Sequence, residues 1–318
     1  MPAVFRKELA DHLVSRRFLI LFILVLLTAI FATYVATQII RGAVTTSTEF
    51  VFLTIFTTSG EALPSFTFFL SLFIPIVSIA LGFDAINSER NSGNLSRLLS
   101  QPIYRDAVIN GKFLAGLAIL AIIIVSIIAI VAGLGLRFIG VPPSSEEVLR
   151  LIVFAVISII YGAFWMALAV LFSVFFNRAA TSMLASVGLW IFFFFFMSMI
   201  AGAIANAQIP IDQNSTLDMI TKNAEIQGII ARISPCTLYT EATAVLLAPD
   251  LLTPELLGSP ILTFMLISTY TAGRMLSPLP FSQSLLLVWP QLVSIIALAT
   301  ICFAASYIRF MKEEIRSI

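Results

Sequence analysis

Charge is scarce in this chain. Only 11% of its 318 residues are Asp, Glu, Lys or Arg, against about 25% in a soluble domain, and this excludes an ordinary water-soluble globule. Histidine is nearly absent, and the single His12 has no His pair or Cys cluster to join it in a zinc site. The two cysteines are Cys236 and Cys302. The second lies inside an apolar run, so no disulfide framework is predicted. The net charge of +1 leaves no electrostatic footprint for nucleic acid. A phosphate-binding P-loop is missing too, because Gly111-Lys112 has Asp106 where the earlier glycine is needed. No pair of carboxylates falls within the apolar runs, which excludes an intramembrane aspartyl protease. No mid-span charge is found either, although ion-coupled transporters usually need one or a broken helix. No catalytic, cofactor-binding or metal-ligating residues are therefore expected.

What the chain has is apolar length. It is 59% hydrophobic with 28 Phe. Six runs are long enough to cross a bilayer: about Phe18–Ile40, Leu63–Phe83, Phe113–Leu136, Leu151–Phe176, Ala179–Ile204 and Leu285–Phe310. The predicted fold is an all-α polytopic membrane protein with six transmembrane helices. Residues 1–17 are predicted to form an N-terminal interfacial elbow helix, with Phe5, Leu9, His12 and Leu13 on one face. The first apolar run is too long for the hydrophobic region of a signal peptide, so no cleaved leader is expected. Residues 18–204 hold spans 1 to 5. Within them Phe50–Phe56 is too short to cross and reads as an interfacial piece, and Pro75 as a kink. Pro290 falls in the first turns of span 6, and residues 285–318 hold that span and a tail.

Residues 205–284 lie between spans 5 and 6 and carry repeated helix signals. Ser215 is placed to cap a helix to Ile233. Ser234-Pro235, Thr253-Pro254 and Ser259-Pro260 each put a capping residue before Pro at a first helical position. A helical extracytoplasmic cap is predicted, with Ile261–Tyr270 too short to cross and Cys236 a buried small residue.

Six spans place both termini on one side. With the termini inside, 12 of the 18 Lys and Arg are cytoplasmic, so the positive-inside rule puts both termini in the cytoplasm of a multi-pass cell-membrane protein. The connection Asp84–Lys112 then faces the cytoplasm. It carries Asp84, Glu89, Arg90, Arg97, Arg105, Asp106 and Lys112. Burying these in lipid would cost on the order of 20 kcal/mol, so the stretch must lie outside the hydrocarbon. It still has helical order. Leu95, Leu98 and Leu99 sit at i, i+3 and i+4, Asn94 is placed to cap them, and Pro102 ends the run. Ala85–Arg90 is predicted to form another short helix, with Asn91–Gly93 as the break. A solvated loop with a helical turn fits this spacing as well as a docking surface does.

The run Glu-Arg-x-x-Gly-x-Leu-x-x-Leu-Leu-x-x-Pro-Ile, followed by Gly-Lys, resembles the permease subunits of type-2 ABC exporters. The closer likeness is to bacterial and archaeal members of the sodium-efflux and copper-maturation kind. The matching positions are Glu89, Arg90, Gly93, Leu95, Leu98, Leu99, Pro102, Gly111 and Lys112; Asn94 stands where the family more often has Thr. The resemblance implies a cytoplasmic coupling helix between spans 2 and 3 that seats on a separate ABC ATPase subunit. It also implies two ATPase copies and a second permease copy, identical or related, in membrane lipid. ATP and Mg would be bound by the ATPase, with no cofactor on this chain. A secondary transporter or channel, or a non-transporting membrane anchor of an enzyme complex, are the readings from other classes. If the family arrangement holds, spans 2 and 5 lie near any path between two copies. In span 5, Phe192, Phe193, Phe194, Phe195 and Phe196 then form a possible substrate path for a hydrophobic or amphiphilic cargo.

Overall fold

The computed structural model describes residues 2–43, 50–59, 64–91, 104–212, 215–248 and 280–312. No strand is found among the described residues. The helices are α1 (Pro2–Val14), α2 (Arg16–Ala43), α3 (Val51–Thr57), α4 (Phe66–Gly82), α5 (Asn87–Asn91), α6 (Arg105–Ile139), α7 (Ser145–Phe175), α8 (Ala179–Gln208), α9 (Leu217–Ala231), α10 (Pro235–Leu247) and α11 (Phe281–Lys312). Six segments are long and apolar enough to cross a membrane: 18–40 in α2, 66–91 across α4 and α5, and α6, α7, α8 and α11. The expectation of an all-α, six-span chain is met.

Helix starts are set by local chemistry. Ser65 caps α4 with its hydroxyl on the Phe68 N–H, three residues later than the apolar run begins. Ser144 and Glu147 form a reciprocal capping box, so α7 starts at Ser145 rather than Leu151. The Pro142–Arg150 stretch is therefore partly the first turns of a helix. α6 starts at Arg105, two turns before the apolar run, and ends on Gly140 at φ +80°, where only glycine is unstrained. Pro290 lies in the interior of α11, not in its first turns.

α7 is the hub. It packs against α4, α6, α8, α10 and α11. Gly162 makes this possible, because a Cβ there would collide with Leu120 of α6 and come within 2.9 Å of the Ser78 hydroxyl of α4. The core around it includes Phe154, Ile157, Tyr161 and Trp165, all at most 1% exposed. α2, α8 and α11 carry more exposed apolar surface, as lipid-facing or partner-facing helices do.

The bundle has two ends. One holds α1, α5, the start of α6, the α7–α8 connection and the end of α11; it is called the terminal end here. The opposite end holds α3 and the start of α7. There α3 is buried rather than lying on a surface. The Phe52 and Leu53 N–H groups donate to Glu147 Oε1 at 3.0 and 3.4 Å. Arg150 is fully buried beside them. Its guanidinium donates to Glu146 Oε1, the Leu246 carbonyl and Ser284 Oγ, and it stands 5.2 Å from the Phe50 ring and 5.9 Å from that of Phe281.

The described residues 215–248 between spans 5 and 6 are largely helical, and they penetrate further than a lid over the helix ends would. α9 returns alongside α8, with Asn223 Nδ2 donating to Asn206 Oδ1 and to the Ile209 carbonyl. Thr216, one residue beyond Ser215, takes the N-cap position of α9. Ser234 caps α10 and donates to the Phe193 carbonyl at 3.0 Å, halfway along α8. Of the thirteen residues of α10, all but Thr240 are buried. Tyr239 stacks on Tyr161 at 4.2 Å and shares a 2.9 Å hydrogen bond with Ser158. Cys236 is buried and accepts from the Tyr161 hydroxyl. Thr253, Ser259 and Ile261–Tyr270 lie outside the described residues.

Candidate coupling site

The terminal end gathers Asp84, Glu89, Arg90, Arg105, Asp106 and Lys112; Arg97 lies outside the described residues. After α4 ends at Gly82, the chain turns through Asp84 into the single turn of α5. Two backbone donors at that turn are exposed to no solvent and need partners. Ser173 of α7 supplies both: its hydroxyl accepts from the Ile86 and Asn87 N–H groups at 3.0 and 3.2 Å. Asn87 is itself buried and donates to the Phe83 carbonyl. Arg90 Nη1 then donates to Asn177 Oδ1 at 2.9 Å, and Asn91 Nδ2 donates to the Asn177 carbonyl at 3.0 Å. The end of α5 is thus tied to the tight connection between α7 and α8.

The other tie runs through Lys112. Its ammonium lies 2.7 Å from Glu89 Oε1 and 2.9 Å from Glu8 Oε1. All three side chains are largely buried, at 9% exposed for Lys112 and 13% for each glutamate. Burying these charges is costly, and only close pairing offsets the loss of water. One cation therefore joins α1, α5 and α6 at a single point. Gly111, the residue before it, lets α1 lie against α6: a Cβ there would sit 3.0 Å from Val4 Cβ and Cγ1. The apolar face of α1 reads Val4, Phe5, Leu9 and His12, with Leu13 more exposed.

Glu89, Arg90, Gly111 and Lys112 are therefore brought together at one end of the bundle. Gly93, Leu95, Leu98, Leu99 and Pro102 lie outside the described residues. Glu8, Ser173 and Asn177 complete the cluster, and sequence reasoning missed them. Glu8 lies 104 residues from Lys112 and Ser173 lies 87 from Ile86, so no local pattern pairs them. No group of three or more His, Cys, Asp or Glu able to hold a metal occurs among the described residues.

The five phenylalanines of span 5 are elsewhere. Phe192–Phe196 forms one π-helical turn within α8. Phe194 packs on Phe68 of α4 and on Trp190, while Phe192, Phe195 and Phe196 are 40–51% exposed. The widened turn rotates the ring directions, so the five divide between bundle and surroundings.

A family model described as ABC-2 family transporter protein matches residues 2–315. The chain belongs to the ABC-2 transporter family. Among curated proteins it is similar to the "Probable ABC transporter permease protein NosY" of Pseudomonas aeruginosa. That likeness is 28% identical over 216 residues, covering 61% of this chain and 67% of the relative. It is thus an ABC transporter permease and a multi-pass membrane protein. Permeases of this family are in general non-catalytic and work with an ATPase partner.

Proposed function

We propose that this chain is the membrane half of an ATP-driven exporter whose two ATPase subunits seat on the Asp84–Lys112 connection, here called the elbow to distinguish it from the N-terminal helix α1. Both termini and the elbow face the cytoplasm in this reading, as the distribution of Lys and Arg favours. Two permease copies, identical or related, enclose the path. ATP and Mg act on the partner, and this chain contributes no catalytic group or cofactor.

The observation that carries the reading is the junction at Lys112. A force applied to the elbow reaches α1 and α6 through Lys112. It reaches α7 and α8 through Ser173 and Asn177. A solvated loop would need no such ties. Closure of the ATPase pair then moves α1, α5 and the starts of α6 and α8 together. Phe192, Phe195 and Phe196 supply apolar surface for a hydrophobic or amphiphilic cargo, because a hydrated ion would lose its hydrogen bonds there.

The test is copurification with the cognate ATPase. Leu98→Ala with Leu99→Ala should weaken the complex at least tenfold, since a buried Leu→Ala costs about 2–5 kcal/mol, while the permease stays folded. Normal copurification and transport by that variant would remove the docking assignment.

A further inference from the structure

The chain between spans 5 and 6 carries one ion pair to the depth of the hydrocarbon. Ser234 donates to the Phe193 carbonyl at 3.0 Å, and Phe193 lies at the midpoint of α8. Arg232 stands two residues before Ser234, and its Nε donates to both oxygens of Glu241, at 3.2 and 2.9 Å. The Gln291 amide is 3.4 Å from Glu241 Oε2. Gln291 in turn lies about 8 Å from the middle of α11 along its axis. The hydrocarbon reaches about 15 Å to either side of the midplane, so the pair sits within it.

The two partners are exposed unequally. Glu241 is 3% exposed, whereas the Arg232 side chain is 41% exposed. Glu241 engages Nε alone. No described residue pairs with Nη1 or Nη2, which leaves four N–H donors at a depth where unpaired donors are costly. Ile229 and Ile233, both exposed, flank Arg232 at the end of α9. Phe192, Phe195 and Phe196, also exposed, lie within three residues of the Ser234–Phe193 bond. An outward polar fork is thus set among exposed apolar side chains, and Glu241 fixes its orientation. The end of α9 and the start of α10 meet at this point, so their partial charges offset and the guanidinium itself decides what binds. Its two free nitrogens match the two oxygens of a carboxylate or phosphate. An alcohol or a carbonyl would meet one nitrogen and leave the other without an acceptor.

We propose that Arg232 binds the anionic headgroup of an amphiphile, a carboxylate or phosphate on an apolar chain, with the chain against Ile229, Ile233 and the phenylalanine turn of α8. That the amphiphile is cargo rests on the transport reading above; that it binds does not. Inorganic phosphate lacks the apolar chain. The headgroups of bulk phospholipid lie at the membrane surface, away from this depth.

Photocrosslinking of the full-length permease in phosphatidylcholine vesicles, without ATP or a partner, tests this. The probe is hexadecyl phosphate with a diazirine in its chain. Its crosslinks should map by mass spectrometry to α9, the start of α10 and the Phe192–Phe196 turn. Unlabelled hexadecyl phosphate should displace it, while hexadecanol and inorganic phosphate should not. Arg232→Gln should lower labelling about tenfold, the loss of a charge-assisted pair of hydrogen bonds. Ile233→Glu supplies a competing carboxylate at an exposed position and leaves Glu241 its partner. It should have the same effect, and it decides the matter if Arg232→Gln does not fold, with thermal unfolding in detergent as the check on each variant. If the pair only fastens α9 to α10, labelling in the folded Ile233→Glu variant is unchanged. That result, labelling spread evenly over the lipid-facing helices, or displacement by hexadecanol would overturn the proposal. ATPase activity of the assembled complex reports the transport reading separately. Stimulation by hexadecyl phosphate without specific labelling overturns the site alone, and specific labelling without stimulation overturns only the export of the bound amphiphile.

Discussion

The two ends of the bundle are fastened in different ways. At the opposite end, fixing is by burial. Arg150 has no exposed side-chain surface and binds a backbone carbonyl, a hydroxyl and a carboxylate between two aromatic rings. Glu147 serves two helix starts at once, closing the cap of α7 and taking two N–H groups of α3. At the terminal end, fixing is by a few polar side chains. Lys112 joins three helices, and Arg90 and Asn91 reach Asn177 from exposed positions. A backbone cap inside a packed core has one arrangement. The Arg90 and Asn91 side chains, whose bonds to Asn177 are exposed, can exchange partners with water. The opposite end therefore suits a fixed frame, and the terminal end suits the place where movement enters.

The largest expected effect breaks the frame. Arg150→Met leaves the Leu246 carbonyl and Glu146 without their donor, and should destabilise the isolated permease by about 3 kcal/mol. Thermal unfolding in detergent measures it. A loss as small as that of a surface substitution would show that the opposite end is not held by this residue. Lys112→Met should do the reverse in kind. It leaves the largely buried Glu8 and Glu89 without their shared cation, and should cost about 2 kcal/mol. Its main effect should be on coupling: cargo-stimulated ATPase activity of the complex is lost while copurification persists. Full stimulation in Lys112→Met would separate the junction from coupling.

The smallest effect concerns pH. Burial lowers the His12 pKa in the folded protein. The unfolded chain then binds more protons at acid pH, so stability falls as pH drops below the ordinary value of about 6.5 toward the lowered one. His12→Gln should flatten this part of the stability profile between pH 7 and 5. An unchanged slope would assign the acid sensitivity to other groups.

Much of this comparison could be read in the sequence at the level of elements and little at the level of contacts. The six spans were legible because bilayer thickness imposes a minimum apolar length. Ser234-Pro235 announced α10 by local chemistry alone. The Ser144–Glu147 capping box was equally local, yet the two preceding prolines and four charges read as a turn. The depth of α10 was not legible, since nothing in its own residues tells which helices bury it. Phe192–Phe196 gave no sign of a π turn, which depends on how α8 meets α4 and the start of α10. Glu89, Arg90, Gly111 and Lys112 could be found by their motif. Their partners Glu8, Ser173 and Asn177 could not, because each pairing is made by the fold across a long stretch of chain.

The central claim is that α1 and the elbow move as one unit when ATP is turned over. Pulsed electron spin resonance on the assembled complex tests it, with labels at Ala10→Cys and Ser88→Cys in a Cys302→Ala background. Both label sites are exposed, and Cys236 is buried. Between the nucleotide-free and vanadate-trapped states, the distance from residue 10 to residue 88 should stay within about 2 Å, while that between the two copies of residue 88 changes by about 5 Å or more. With Lys112→Met the first distance should vary as well. A distance from residue 10 to residue 88 that changes in the wild type as much as the distance across the complex would contradict the account.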